Sequence, residues 1–392
     1  MFSINRSTVA YWILGLCNNY GYVVMLSAAH DILTRLDKFD NQPKILNNDR
    51  KCNELSTGVI LLANIVPSLI VKIVSPFLPL WMNIRLSITV ITAAIGFILV
   101  GMSNTLTLTI IGVACTAFSS GIGESSLLSF TVFYKDKSIV SAWSSGTGGA
   151  GFFGSMTYAG LLAIGISPSM TLYILLIIPL SMAISFWLIL ENPLKNQSQE
   201  AIERKVSSPE LPTKINEESF MLKINKIPSA LKYAVPLFLV YYFEYVINQG
   251  LAELSILDNS FIDRKTQYRW YQVCYQIGVF ISRSSIQIIQ IKKLWIIAFL
   301  QGLNLIFFLF QAIYIVVNNV WIIFAIIICE GILGGFGYIN TYYKIQVEEE
   351  PENREVVTGF TMIAETFGIT LSGVTAIPLH NKICALPTMS LF

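Results

Sequence analysis

Six charged side chains stand inside long apolar runs: Glu124, Glu244, Glu330 and Glu365, with Lys72 and Arg283. A charge at the centre of a bilayer costs about 2.5–3.5 kcal/mol on insertion scales, so such residues pair with one another, face water, or handle substrate and protons. Bases there suit an anionic group, and acids suit pairing with those bases or taking up protons. Lys72 has a plainer reading as well, with its long stem reaching to an interface. Asn248 and Gln249 lie between Glu244 and a further acid, Glu253, and Arg269 opens the next apolar run. Asn18, Asn19, Asn64, Gln301 and Asn304 add neutral groups that can bond between membrane helices.

A second constellation is Gly146-Thr-Gly148-Gly149-Ala-Gly151, which spells G-x-G-x-x-G. As a dinucleotide fingerprint it needs a preceding strand and an acid about 20 residues on. Thr171 occupies that place, and the next acid is Glu191. The flanks are apolar and long enough to cross a membrane. Ser144/Gly148 and Ser145/Gly149 are small-xxx-small pairs that let a neighbouring helix approach closely or let their own helix bend. The glycines therefore read as packing or gating elements, and Ser144 and Ser145 as groups that line or gate a path.

The elements that hold these residues are membrane spans. The chain of 392 residues is 54% hydrophobic and 13% charged, against about 25% charged in soluble domains. A span needs about 20 mostly apolar residues. Eleven stretches qualify: 8–33, 56–80, 86–102, 106–134, 139–165, 168–190, 232–257, 266–291, 294–317, 320–343 and 356–379. The first is read as a retained span rather than a signal peptide, because Asn18-Asn19 interrupts it and Arg6 is its lone basic residue upstream. Lys and Arg concentrate in the linkers after even-numbered spans, which places the N-terminus in the cytosol. The linkers after spans one and seven depart from that pattern.

The stretch 191–231 is polar and rich in Ser, Pro, Glu and Lys, the composition of a mobile cytosolic linker. It divides the chain into a six-helix bundle (1–190) and a five-helix bundle (232–392). Spans four and ten both carry a glycine cluster and finish on aromatics, and spans two and eight each carry one deep base. These echoes predict an all-α, polytopic membrane protein of about eleven helices in two pseudo-repeated, major-facilitator-like bundles.

Several chemistries find no support. Two histidines and six scattered cysteines without a C-x-x-C pair offer no metal cluster. No Lys stands in Walker spacing, and H-E-x-x-H and G-x-S-x-G are missing, so neither a cofactor nor an enzyme is expected. The net charge of +2 does not suggest nucleic acid.

The collected residues resemble the battenin family. The segment Cys17–Ile32 is similar to its first-span signature. Ser119–Glu124, Trp143–Gly151, Tyr245–Gly250, Gln267–Gln272, Gly278–Ser285, Glu330–Gly335 and Leu371–His380 match in order, nearly end to end. The resemblance implies a lysosomal, late-endosomal or vacuolar multi-pass protein that clears glycerophosphodiesters and supports organelle pH. Links to basic amino acid homeostasis come with the same family. Phe2 replaces the myristoylation-type glycine of animal members, and Cys384 lies eight residues before Phe392, so a lipid anchor is not expected.

The expected function is alternating-access export of a small phosphodiester, with that anion, protons and the lipid bilayer as the expected partners. Lys72 and Arg283 would hold the phosphate, with Asn18, Asn19, Ser144, Ser145 and Gln249 lining the path. Glu124, Glu244, Glu330 and Glu365 would carry protons or balance the bases. One rival keeps transport but makes arginine the cargo. Another is a non-transporting membrane regulator acting through 191–231.

Overall fold

The computed structural model describes residues 5–28, 58–75, 78, 80–134, 138–191, 227–257, 262 and 264–386. Most of the 191–231 linker lies outside them, as do the end of the first expected span and the linker that follows it. Among the described residues there are eleven helical spans and no strand. They are α1 (Arg6–Ser27), α2 (Gly58–Val74), α3 (Met82–Met102), α4 (Leu106–Phe130) and α5 (Ser138–Ala163). There follow α6 (Pro168–Ile189, with a turn after Ile174), α7 (Ile227–Val246, continued by a π turn over Ile247–Leu251) and α8 (Arg264–Ser284). The last three are α9 (Leu294–Tyr314), α10 (Val320–Glu348) and α11 (Pro351–Cys384).

Eight of these helices are long and apolar enough to cross a membrane; α2, α5 and α8 are the exceptions. Those three carry Lys72, the serine–glycine run and Arg283; α2 is apolar but too short, at 17 residues, whereas α5 and α8 are long enough but less apolar. The bundle exposes many large apolar side chains, while its interior combines apolar clusters with buried polar and charged groups. On α9, Phe299, Leu303, Ile306 and Phe310 face outward while Gln301 is fully buried. A soluble fold would reverse that arrangement, because unpartnered apolar patches on soluble monomers stay small.

Some ends differ from the apolar runs. The helix expected over 266–291 stops at Ser284, although Ile286–Ile291 is apolar. Ser285 Oγ bonds back to the Ser282 carbonyl (2.8 Å), and the Ile291 amide donates to Asn340 Oδ1 (2.7 Å). Local hydroxyl bonding and a side-chain acceptor on α10 thus replace the helical ladder. The seventh helix starts at Ile227, five residues before the apolar run, with Pro228 in its first turn, where a missing N–H costs nothing.

Close approach of small residues sets the packing. On α5, an added Cβ at Gly146 would meet the Trp12 carbonyl oxygen of α1. The same device recurs between α8 and α10, where Cβ atoms at Gly278 and Gly331 would meet the carbonyls of Ile328 and Tyr275. Helices of the chain before residue 191 meet those after 227 along two seams. One joins α5 to α8 through Ser145 Oγ and Ser284 Oγ (2.9 Å). The other joins α2 to α11, where Gly373 faces Leu62 and Lys72 reaches Thr366.

The glycines of 146–151 therefore have unequal duties, and alanine separates them. Gly146→Ala forces a methyl onto backbone and is expected to cost about 1–3 kcal/mol as overpacking. Gly149→Ala meets only ordinary contacts at 3.5 Å from Leu16, Phe280 and Trp12, and should fold as the parent does. Size-exclusion profiles and thermal unfolding in detergent should show Gly146→Ala failing and Gly149→Ala matching the parent. Equal behaviour of the two would rule out this division of roles.

Candidate functional site

The buried charges converge at the middle of the bundle, but they do not share one environment. Lys72 Nζ on α2 lies 2.7 Å from Glu124 Oε2 on α4, with the side chains only 4% and 8% exposed. The same ammonium donates to Thr366 Oγ1 on α11 (2.9 Å). The other carboxylate oxygen, Glu124 Oε1, accepts from the Tyr338 hydroxyl on α10 (3.3 Å). Lys72 is thus neutralised within the first group of helices and hydrogen-bonded to the second.

Arg283 on α8 is different. Its Nη1 donates to Thr147 Oγ1 on α5 and its Nη2 to the Tyr241 hydroxyl on α7, both at 2.8 Å. Its guanidinium carbon lies 3.9 Å from the centre of the Tyr338 ring, a cation–π contact. No carboxylate stands within 4.0 Å of it among the described residues, and its Nε has no hydrogen-bond partner. A buried guanidinium is thereby held by neutral groups on α5, α7 and α10, at the α5–α8 seam. The local sequence allows this: Gly148 lies against the stem of Arg283, where an added Cβ would come within 3.2 Å of Arg283 Cβ.

The remaining acids lie on the second set of helices, and Glu365 there is close enough to interact electrostatically with Lys72 and Glu124. Glu244 on α7 accepts from the Tyr275 hydroxyl of α8 through Oε1, while its Oε2 has no hydrogen-bond partner. Glu330 on α10 accepts from Asn248 Nδ2 at 3.0 Å, and its Oε2 also lacks a partner. Both are 1% exposed or less, with no cation within 4.0 Å among the described residues. Glu365 on α11 accepts from the Tyr342 hydroxyl (2.6 Å). The acids on α4 and α10 thus differ in their contacts: Glu124 meets Lys72, whereas Glu330 meets Asn248.

Other expected site residues lie elsewhere. Asn18 Nδ2 donates to the Ser120 carbonyl of α4 (3.2 Å), joining two helices of the first group, and half-buried Asn19 stands beside it. Ser145 Oγ accepts from Trp12 Nε1 (3.2 Å) and meets Ser284, which makes it a tie between α1, α5 and α8. Ser144 is fully buried, and its hydroxyl has no hydrogen-bond partner. Gln249 is buried in a five-residue π turn (Ile247–Leu251) that ends α7, a distortion often found at functional positions.

Sequence reasoning missed the aromatic groups that organise the centre. Tyr338 and Tyr342 stack edge to face at 4.7 Å on α10, and Tyr241 and Tyr245 stack on α7. Tyr22 of α1 donates to the Tyr245 hydroxyl (2.9 Å), and Trp143 Nε1 of α5 donates to the Tyr338 hydroxyl (3.2 Å). Each tyrosine pair has i, i+4 spacing, which puts both rings on one helix face. That spacing, in helices that also carry Glu244 and Glu330, was a readable signal.

With this geometry in view, known proteins give a consistent match. A family model described as CLN3 protein matches residues 9–386. Battenin of Canis lupus familiaris is 40% identical, over 97% of this chain and 92% of its own length. Protein BTN1 of Saccharomyces cerevisiae is 32% identical, over 95% of this chain and 94% of its own. Among solved structures, the fold is similar to an inward-facing, unoccupied bacterial homologue of the human lysosomal transporter Spinster, with TM-score 0.55 and 15% identity over 95% of this chain and 82% of that one. It is also similar to the Escherichia coli fucose:proton symporter, with TM-score 0.51 and 10% identity over 97% of both chains. The chain belongs to the CLN3, or battenin, family, and it has the all-helical fold of major-facilitator-type membrane transporters.

Proposed function

We propose that this protein is a lysosomal or vacuolar membrane transporter that exports a small phosphodiester, such as glycerophosphoglycerol, by alternating access between two helix groups (1–190 and 232–392). The observation that carries this reading is Arg283, a buried guanidinium at the seam between the groups with no carboxylate beside it. Glu244 and Glu365 act on it only from beyond contact distance, so the site favours an anion that can contact the guanidinium directly. A guanidinium presents paired donors that fit two phosphate oxygens at once. Thr147 and Tyr241 already occupy Nη1 and Nη2, and exchange of those hydroxyls for phosphate oxygens is the binding step in this reading. Lys72 serves differently from the sequence expectation. It is satisfied by Glu124 and acts as a bridge to α11 that must break or shift as the groups move. Glu244 and Glu330 are the proton carriers, which ties transport to the acidic compartment.

The same two carboxylates support a second reading, in which a basic amino acid takes their unpartnered oxygens. Arg283 opposes it, because a cationic side chain would enter beside a guanidinium.

Uptake of labelled glycerophosphoglycerol into proteoliposomes tests the proposal. Arg283→Ala is expected to lower transport about 100-fold, in line with losing a buried charge-assisted contact worth about 2–5 kcal/mol. Arg283→Lys should recover part of it. Transport by Arg283→Ala at the parent rate, or competition by arginine but not by the phosphodiester, would sink the anion site.

Stability tests the role of Lys72 separately. Lys72→Met strands Glu124 and is expected to destabilise by about 3–5 kcal/mol, whereas Lys72→Met combined with Glu124→Gln removes both charges and should regain most of that loss. A double variant no more stable than Lys72→Met would show that the two side chains do not compensate each other.

A further inference from the structure

Four lysines gather at one end of the second helix group, around a cavity of about 360 Å³. Lys232 opens α7, Lys292 and Lys293 precede α9, and Lys344 lies one turn before the end of α10. All four belong to the end of the bundle that the distribution of basic residues assigns to the cytosol. The rest of the lining is Leu294, Trp295 and Ile296, the first turn of α9. Trp295 and Ile296 are largely exposed on the outer face of the bundle.

The charges within this cavity are unevenly satisfied. Lys232 lies 2.8 Å from Glu349, and Lys344 lies 3.5 Å from Glu348 while donating to the Lys292 carbonyl (3.0 Å). Lys292 and Lys293 are exposed and have no carboxylate within 4.0 Å among the described residues. No side chain caps the start of α9, so its first amides add their partial positive charge at the same place.

We infer that this cavity binds the headgroup of a phosphorylated anionic lipid from the adjoining leaflet, with Lys292 and Lys293 as its principal contacts. A lipid fits better than a soluble anion because one wall is cationic and the next is apolar and faces the hydrocarbon. Tryptophan at the mouth suits the headgroup level of a membrane, where its ring is apolar and its N–H is wet. Basic pockets between membrane helices are known to hold such headgroups, each lysine near the surface adding a modest attraction. The inference rests on the membrane reading alone and is independent of the cargo at Arg283.

Thermal unfolding of the purified protein in detergent provides the test, with dioctanoyl phosphatidylinositol bisphosphate as probe and dioctanoyl phosphatidylcholine as control. The parent should be stabilised by the anionic lipid and not by the control. Lys292→Ala combined with Lys293→Ala should fold normally, since both side chains are exposed, and should need about tenfold more lipid for the same shift. The proposal fails if the parent shows no shift, or if the double variant responds as the parent does. It fails equally if inositol trisphosphate alone gives the full shift at the same concentration, because the site would then read free phosphate rather than a lipid.

Discussion

A positive charge buried among helices demands a negative one, and this bundle places one in contact with Lys72 but not with Arg283. Lys72 is matched by Glu124 at 2.7 Å. Arg283 has only two hydroxyls and an aromatic face. Much of the central packing follows from keeping that guanidinium in place. Gly148 lets the Arg283 stem lie against α5, and from there its nitrogens reach Thr147 and Tyr241 on two other helices. Tyr338 lies beneath it, and the Tyr338 hydroxyl is itself held by Trp143 while it donates to Glu124. Tyr338 therefore touches both Arg283 and the acid that pairs with Lys72, so that a change at the Lys72–Glu124 pair is felt at Arg283 through one hydrogen bond and a ring.

The acids of the second group complete the asymmetry. Glu244 and Glu330 are as deeply buried as Glu124, yet their partners are a phenol and an amide. Neither neutral partner can offset a full charge in a low-dielectric interior. The first group of helices thus encloses a contact ion pair, and the second encloses a base and acids that act on one another without touching.

The spans were legible because membrane helices advertise themselves by length and apolarity. Those from α3 to α6, with α9, α10 and α11, fall where the apolar runs place them, with ends shifted by a few residues. The end of α8 was not legible, because composition cannot see Asn340 reaching the Ile291 amide from another helix. The deep charges were legible for the same reason as the spans, since a charge in an apolar run stands out. Their pairing was not. Sequence position made Lys72 and Arg283 equivalents, and only packing shows that one touches a carboxylate and the other does not. The serine–glycine run resolved in a similar way: its residues face different neighbours around one helix, with Gly146 on α1 and Gly148 on α8.

On the proposed reading, the lone guanidinium also limits what can bind. A phosphodiester carries one negative charge at neutral and acidic pH, and one arginine balances it. A phosphomonoester brings up to two charges as its second proton leaves, and the excess would sit in a bundle whose other acids already lack a contacting cation. A monoester escapes the cost of that excess by taking up its second proton, whose pKa is about 6, so the penalty is capped at about 1.4 kcal/mol at neutral pH and disappears at acidic pH. Lys72 cannot supply the second positive charge without abandoning Glu124, which would only move the deficit. Charge count therefore favours the diester by about tenfold at neutral pH and not at all in an acidic lumen. Within that limit, the tyrosine hydroxyls around Arg283 are left to recognise the polyol.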